Sequence, residues 1–333
     1  MRVPFVMALF LLLLSGCMKS AGSSYNPLLS GVSGAGRFSW SNGVTWSSPA
    51  PVAKNNFNSV VYGAGQFIVV GGPSNTSVPQ YRGSANQVAS ILTSFDGVNW
   101  VECPPGTNFG LFGVAFGKGR YVAVGGLAIM SSTDGIAWTS QAIAPGNLAH
   151  ITYADGKFVA TGAFATIMTS HDGVRWAVIA PGNLDALNPI NEIDAVTYGN
   201  GRFVAVGQLH GITLTSSDGV SWTSRTSGTP SGLRGVAFGN GLFVAVGRKG
   251  ALATSPDGAT WTVRTSGTAS DLMDVVYGRG QFVAVGERGT TLTSSDGVKW
   301  ICWPSGTPDN LNGITFGENR FVAVGDNNTI LKN

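Results

Sequence analysis

The chain is poor in charge, in histidine, in cysteine and in glutamate, and it has no long apolar run. Only 11% of its 333 residues are charged, 20 Lys and Arg against 17 Asp and Glu, for a net +3. A typical soluble domain carries about a quarter. So even a balance excludes a dedicated nucleic-acid surface. The three histidines, His150, His171 and His210, lie far apart, and the cysteines Cys17, Cys103 and Cys302 have no ligand spacing. No metal site and no cofactor follow from them. The apolar run Val3 to Leu14 has 12 residues, too few to span a bilayer as a helix. What the chain does have is glycine, 48 residues without a Gly-X-Y period, and nine Trp. The first excludes collagen and the second excludes a disordered chain.

The apolar run follows Arg2 and ends in Leu14-Ser15-Gly16-Cys17. That tetrapeptide resembles the bacterial lipobox. The resemblance implies a signal peptide over residues 1–16 and a diacylglycerol on Cys17, an anchor of about 0.8 kcal/mol per buried CH₂. It places the protein in a bacterial cell envelope, at the outer membrane in a Gram-negative host. An ordinary signal peptide or an N-terminal anchor, with Cys17 incidental, is the alternative. Residues 17–36, rich in Ser and Gly, read as the lipidated Cys and a flexible linker.

Internal periodicity decides the rest. Ser-x-Asp-Gly-x-x-Trp recurs at Ser94–Trp100, Ser132–Trp138, Ser170–Trp176, Ser216–Trp222, Ser255–Trp261 and Ser294–Trp300, after a degenerate copy at Asn42–Trp46. The Trp-to-Trp steps are 54, 38, 38, 46, 39 and 39 residues. Between them lies a second block of the type Gly235-Val-Ala-Phe-Gly-Asn-Gly-Leu-Phe-Val-Ala-Val-Gly247. Each unit reads as four short strands: Val236–Phe238, Phe243–Val246, Ala251–Thr254 and Trp261–Thr265. A period near 40 with four strands is the mark of a β-propeller blade. The expectation is an all-β, seven-bladed propeller of four-stranded blades over residues 37–333. An N-terminal half-blade, Arg37 to Trp46, pairs with a C-terminal one, Leu311 to Gly325 with Thr329 to Leu331, and closes it. The repeats leave no room for a second domain. Cys103 and Cys302 then lie in well-separated blades and are not bonded to each other.

The motifs resemble the Asp-box, or BNR, repeat of sialidases, sortilin-type receptors and photosystem II assembly factors, over roughly residues 37–333. The assembly-factor pattern is nearest, although this chain reads Asp-Gly-Val-x-Trp where that family often has Asp-Gly-Gly-x-Thr-Trp. In the boxes, Asp96, Asp134, Asp172, Asp218, Asp257 and Asp296 read as turn caps. Asp accepts backbone N–H groups and Gly takes the left-handed position.

Because strands alternate in direction, the boxes share one face with the Gly-x-Gly hairpins, and the remaining loops share the other. Both length insertions fall on that loop face. The first carries Gln80, Tyr81 and Arg82. The second carries Asp185 and runs up to Glu192. The charges that break the repeat, Asp194, Arg234, Arg248, Asp274 and Arg288, belong to the same face. Asp194 and Arg234 hold one repeat position in successive blades and should share a mouth. Trp303 stands where two other blades have Arg225 and Arg264. It reads either as a sugar-stacking ring or as packing against the next blade. Loops on a rigid scaffold are where binding resides, although neutral drift also lengthens loops.

The reading is a monomeric, envelope-anchored scaffold binding a protein or glycan partner, joined to the membrane through Cys17. The alternative is a sialidase-like glycoside hydrolase. Such an enzyme needs an Arg cluster, a Tyr/Glu pair and an Asp. The chain has only four Glu: Glu102, Glu192, Glu287 and Glu318. Its Tyr residues mostly occupy repeated strand positions, and the Arg-Ile-Pro motif is absent.

Overall fold

A computed structural model of the chain describes residues 45–48, 55–72, 89–179, 192–208 and 211–333. Cys17, the linker, most of the first half-blade and both insertions, with Gln80, Tyr81, Arg82 and Asp185, lie outside the described residues.

The first sheet holds β1 (Asn56–Gly63), β2 (Gln66–Gly72), β3 (Ser90–Ser94) and β4 (Val101–Cys103) in sequence order. The second holds β5 (Gly113–Gly117), β6 (Arg120–Ser132), β7 (Thr139–Ala154), β8 (Lys157–Gly162), β9 (Ile167–Ser170) and β10 (Ala177–Ile179). The third holds β11 (Ile193–Gly199), β12 (Arg202–Gly207), β13 (Ile212–Ser216) and β14 (Thr223–Thr226). The fourth holds β15 (Leu233–Gly239), β16 (Leu242–Gly247), β17 (Ala251–Ser255) and β18 (Thr262–Thr265). The fifth holds β19 (Leu272–Gly278), β20 (Gln281–Gly286), β21 (Thr290–Ser294) and β22 (Ile301–Pro304). The last holds β23 (Leu311–Gly317), β24 (Arg320–Gly325) and β25 (Ile330–Lys332). Pairing is antiparallel throughout. The inner strands touch in the order β1, β5, β7, β11, β15, β19, β23, and β23 returns to β1, which closes the propeller.

The expectation of seven four-stranded blades is corrected. Counted as hydrogen-bonded sheets there are six blades: four of four strands, one of six and one of three. The cause is local. In three repeats a single 3-10 turn separates the second strand from the third, at Ala163–Ala165, Arg248–Gly250 and Glu287–Gly289. From Gly125 to Ser132 the chain is one residue shorter than from Gly162 to Ser170 or Gly247 to Ser255. No turn fits, so β6 runs straight through both strand positions. The crossover from Trp138 to Leu148 is also one residue shorter than that from Trp222 to Leu233. Here β7 passes unbroken from the outer edge of one repeat to the inner strand of the next. Two repeats thus merge into one sheet.

Among the described residues the N- and C-terminal half-blades do not form a four-stranded sheet. The described residues give a three-stranded last sheet with a single bridge. Ser47 N–H donates to the Lys332 carbonyl at 2.7 Å, and Lys332 N–H donates back at 2.9 Å.

The second strands carry the core. Phe243, Val244, Ala245 and Val246 are all fully buried, as are their counterparts in β20 and β24. At the hairpin end an aromatic ladder of three rings crosses four of the repeats. Ring centroids are 4.7 Å apart for Tyr62 and Phe67, and 6.5 Å for Phe67 and Trp100. Between sheets, the glycine ending each inner strand receives the aromatic ring of the next. Gly117 lies against Tyr153, Gly199 against Phe238, Gly239 against Tyr277, Gly278 against Phe316, Gly317 against Tyr62 and Gly63 against Phe116. A side chain at these positions would overlap the ring. The ring therefore closes on glycine–aromatic joints, with Ala154 at the one exception. Cys103 is a buried free thiol, so it is not bonded to Cys302.

Candidate functional site: the axial mouth and the turn face

The box aspartates are held by their own turns. Ser94 Oγ donates to Asp96 Oδ1 at 3.0 Å and accepts the Gly97 N–H at 2.9 Å. Asp96 Oδ1 also accepts the N–H groups of Val98 and Asn99, each at 2.8 Å. The same pattern recurs at Asp134, Asp172, Asp218, Asp257 and Asp296. In four boxes Trp Nε1 also donates to the box glycine carbonyl, at 3.1 Å for Trp138 and 3.0 Å for Trp222, Trp261 and Trp300, whereas Nε1 of Trp100 and Trp176 is buried without that bond. The backbone donors hold these carboxyls below the usual range, to about 2 at Asp172 and Asp218. Among the described residues no group of His, Cys, Asp or Glu could hold a metal ion.

Removing one such acceptor strands two N–H donors. By analogy with helix caps, Asp218→Ala is expected to cost about 1–2 kcal/mol, read from a urea melt at pH 7. The sign with pH follows from linkage. The folded values lie below the unfolded value, so this stability is present above about pH 4 and is lost as pH falls through the folded values. Asp218→Ala should therefore differ from the parent at pH 7 and converge with it under strong acid.

On the axis, where inner strands begin and second strands end, lies a cavity of about 520 Å³. Two repeat positions build most of its wall. One follows the apolar residue that opens each inner strand: Asn58, Phe112, Ala149, Asp194, Arg234, Met273 and Asn312. The other follows the glycine that ends each second strand and supplies Gln208, Arg248, Glu287 and Asp326. The second group is pinned by main-chain bonds to the neighbouring inner strand. Examples are Arg248 N–H to the Gly232 carbonyl and Glu287 N–H to the Asp271 carbonyl, both 2.9 Å.

Of the residues marked out by sequence, Asp194, Arg234, Arg248 and Asp274 meet in this wall. Glu192 is buried beside it and accepts Gln208 Nε2 at 2.8 Å. Arg288 is at the loop tip, its N–H on Asn310 Oδ1 at 3.0 Å, and is not in the wall. Trp303 is also outside it, on the outer strand β22. Its Nε1 donates to Thr293 Oγ1 at 2.8 Å, as Arg264 Nε does to Thr254 Oγ1 at 3.0 Å. The two residues therefore tie outer strand to third strand in the same way.

Sequence reasoning missed His150, Gln208 and Asp271 as mouth residues. Gln208 spans the wall: Nε2 reaches Glu192 and Asp194 Oδ1 at 3.2 Å, while Oε1 accepts Arg248 Nη2 at 2.8 Å. Asp271 faces Arg234 at 3.6 Å and accepts the Lys249 N–H at 2.8 Å. The missed signal was positional, because each continues a repeat position already represented by a charge.

Two titratable wall residues join neighbouring inner strands, as Asn58 and Asn312 also do through the Leu111 and Phe57 carbonyls. His150 Nδ1 accepts the Val196 N–H at 3.3 Å. Asp274 accepts the Val275 N–H at 2.8 Å and the Ile314 N–H at 3.0 Å. Burial lowers the His150 pKa to about 4 and raises that of Asp274 to about 7, against the pull of its two N–H donors.

No protein-family model and no curated protein matches the chain. Solved structures do. YCF48 from Cyanidioschyzon merolae is similar with a TM-score of 0.65 at 16% identity, over 86% of this chain and 98% of that one. YCF48 bound to D1 peptide gives 0.65 at 15%, over 87% and 94%. Catalytically inactive virginiamycin B lyase from Staphylococcus aureus with quinupristin gives 0.73 at 12%, over 87% and 99%. Likeness at such identities shows the β-propeller fold and nothing of the activity.

Proposed function

We propose that the protein is a non-catalytic binding or assembly scaffold whose partner docks at the axial mouth on the loop face. In this reading residues 1–16 are a signal peptide, a lipid on Cys17 anchors the chain in the cell envelope, residues 17–36 are the tether, and the propeller presents the mouth. The observation that carries it is the polar cavity of about 520 Å³, walled by residues that differ from repeat to repeat. The turn face offers nearly the same hydrogen-bonded turn in each repeat. A site that discriminates needs chemical variety on a rigid frame.

A protein partner is favoured over a glycan. Among the described wall residues Phe112 is the only Phe, Tyr or Trp, and the His150 ring is tied to the Val196 N–H, whereas sugar recognition draws on open stacking faces. A protein ligand on this fold has a precedent in YCF48 bound to D1 peptide. Binding is favoured over hydrolysis because both oxygens of Asp274, the wall carboxyl with the raised pKa, accept main-chain N–H groups.

The test is capture from detergent-solubilised envelope with the full chain and with an Arg248→Ala, Glu287→Ala variant. The expected result is a protein retained by the parent and lost by the variant at unchanged melting temperature. Turnover of any member of an aryl glycoside panel would overturn the non-catalytic reading.

A further inference from the structure

The turn face carries a feature that the mouth does not use. The box residue after glycine is aliphatic and points outward in several repeats: Ile136 is 52% exposed, Val220 50%, Val298 39% and Val98 36%, with Phe95 at 68% beside it. Because the boxes end every complete repeat on one side, these side chains stand on one face. Taken singly such side chains are ordinary, but here they recur at one register around one face. Basic tips stand among them, with Lys118, Arg175, Arg279 and Lys299 all exposed. Box carboxylates, Asp155 and Glu318 offset those charges, so attraction to a charged surface does not drive contact here. Oδ1 of each box carboxylate is held by its own turn donors, and the aliphatic tips beside it are the groups with most to gain from leaving water.

The N-terminal segment joins the propeller on this same face. Ser47 pairs with Lys332 at the register where Ile301 pairs with Thr293, one residue past the box tryptophan. Thr45, the first described residue of this segment, therefore lies at the turn side. Fully extended, the residues between Cys17 and Thr45 reach at most about 100 Å. Tethering raises the effective concentration of the face at the surface to the millimolar range, so shallow insertion of a few aliphatic tips suffices.

We propose that the turn face rests on the phospholipid surface in which Cys17 is anchored, with Val98, Ile136, Val220 and Val298 at the headgroup boundary, and that the axial mouth faces away from it. The orientation rests on the lipid-anchor reading of Cys17, and the surface is tested separately from it.

The experiment is amine footprinting of the full chain with a water-soluble acylating reagent. It compares detergent with vesicles of phosphatidylethanolamine and phosphatidylglycerol, at low and at high salt. Lys118 and Lys299 report the turn face and Lys249 the loop face; all three are exposed. The expected result is a several-fold fall in labelling of Lys118 and Lys299 on vesicles, retained at high salt, with Lys249 unchanged. An Ile136→Ser, Val220→Ser, Val298→Ser variant is expected to lose the protection while keeping its melting temperature. Protection of Lys249 instead, equal labelling of all three, or protection in detergent that grows with protein concentration would overturn the surface. Intact mass on the same sample reads the acyl group. A footprint without acyl mass keeps the surface and refutes the anchor. Acyl mass without a footprint does the reverse, and absence of both refutes both.

Discussion

Replacing Gly239 by Val is expected to cost at least about 3 kcal/mol and to abolish cooperative folding at physiological temperature, the upper end of what overpacking does. Gly239 ends β15, and a Cβ there would overlap the Tyr277 ring. Tyr277 cannot retreat, because it lies 4.8 Å from Phe282, which is fully buried and 6.5 Å from Trp300. The strain passes into an aromatic ladder and into a joint of the closed ring. A propeller stabilised by neighbour contacts loses an interface and its closure when one joint opens. Thermal and urea melts followed by tryptophan fluorescence measure it. Ala154, the natural exception, sets the control. Ala154→Gly should change stability by less than about 1 kcal/mol, the ordinary backbone cost of glycine. A Gly239→Val chain that melts like the parent would mean that the joints do not hold the ring.

The second large effect is in pH. His150 and Asp274 pull stability in opposite directions. The folded His150 value, about 4, lies below the unfolded value near 6.5, so its contribution rises with pH across that window. The folded Asp274 value, about 7, lies above the unfolded value near 4, so its contribution is full in acid and is lost as pH rises towards 7. Each is worth on the order of 3 kcal/mol at about 1.4 kcal/mol per pH unit of displacement. In the parent they largely cancel between pH 4 and 6.5. Asp194, Asp271, Glu287 and Asp326, with Arg234 and Arg248, line the same cavity and stay in both variants. Asp274→Asn should expose the His150 slope, with stability rising from pH 4 to 6.5, and should exceed the parent at pH 8. His150→Asn should expose the opposite slope, falling from pH 4 to 7. Urea melts at pH 4.5, 6 and 8 separate the two. Parallel profiles for both variants would refute the assignment.

The sheet repeat was legible because each unit restates its turns and its apolar second strand in the same order, from Gly235 to Trp261 and again from Asp274 to Trp300. The number of sheets was not. It turns on the crossover from Trp138 to Leu148, one residue short, too small a change to disturb the period yet enough to let β7 run unbroken from one repeat into the next. At the mouth, Asp194 and Arg234 were legible together because they share a repeat position. Asp271 and Gln208 were not, because their role comes from loops of neighbouring repeats meeting at the axis. His150 shares the repeat position of Asp274, but a lone imidazole in an apolar strand shows neither its burial nor its bond to Val196. Trp303 stood out in sequence for being unlike Arg264, and the shared bond to a third-strand threonine removes the contrast.

The central claim is that binding belongs to the mouth and stability to the turns, and one crossed measurement tests it. Two full-chain variants are compared with the parent for melting temperature and for affinity towards the captured envelope protein. One changes Arg248 and Glu287 to Ala, and the other changes Asp134, Asp172 and Asp218 to Asn. The account expects the first to melt with the parent and bind about tenfold or more weakly, a loss of about 1.4 kcal/mol or more. It expects the second to melt earlier and bind as the parent does. A mouth variant that binds normally beside a turn variant that stays fully folded but loses the partner would contradict it and put the functional face on the other side.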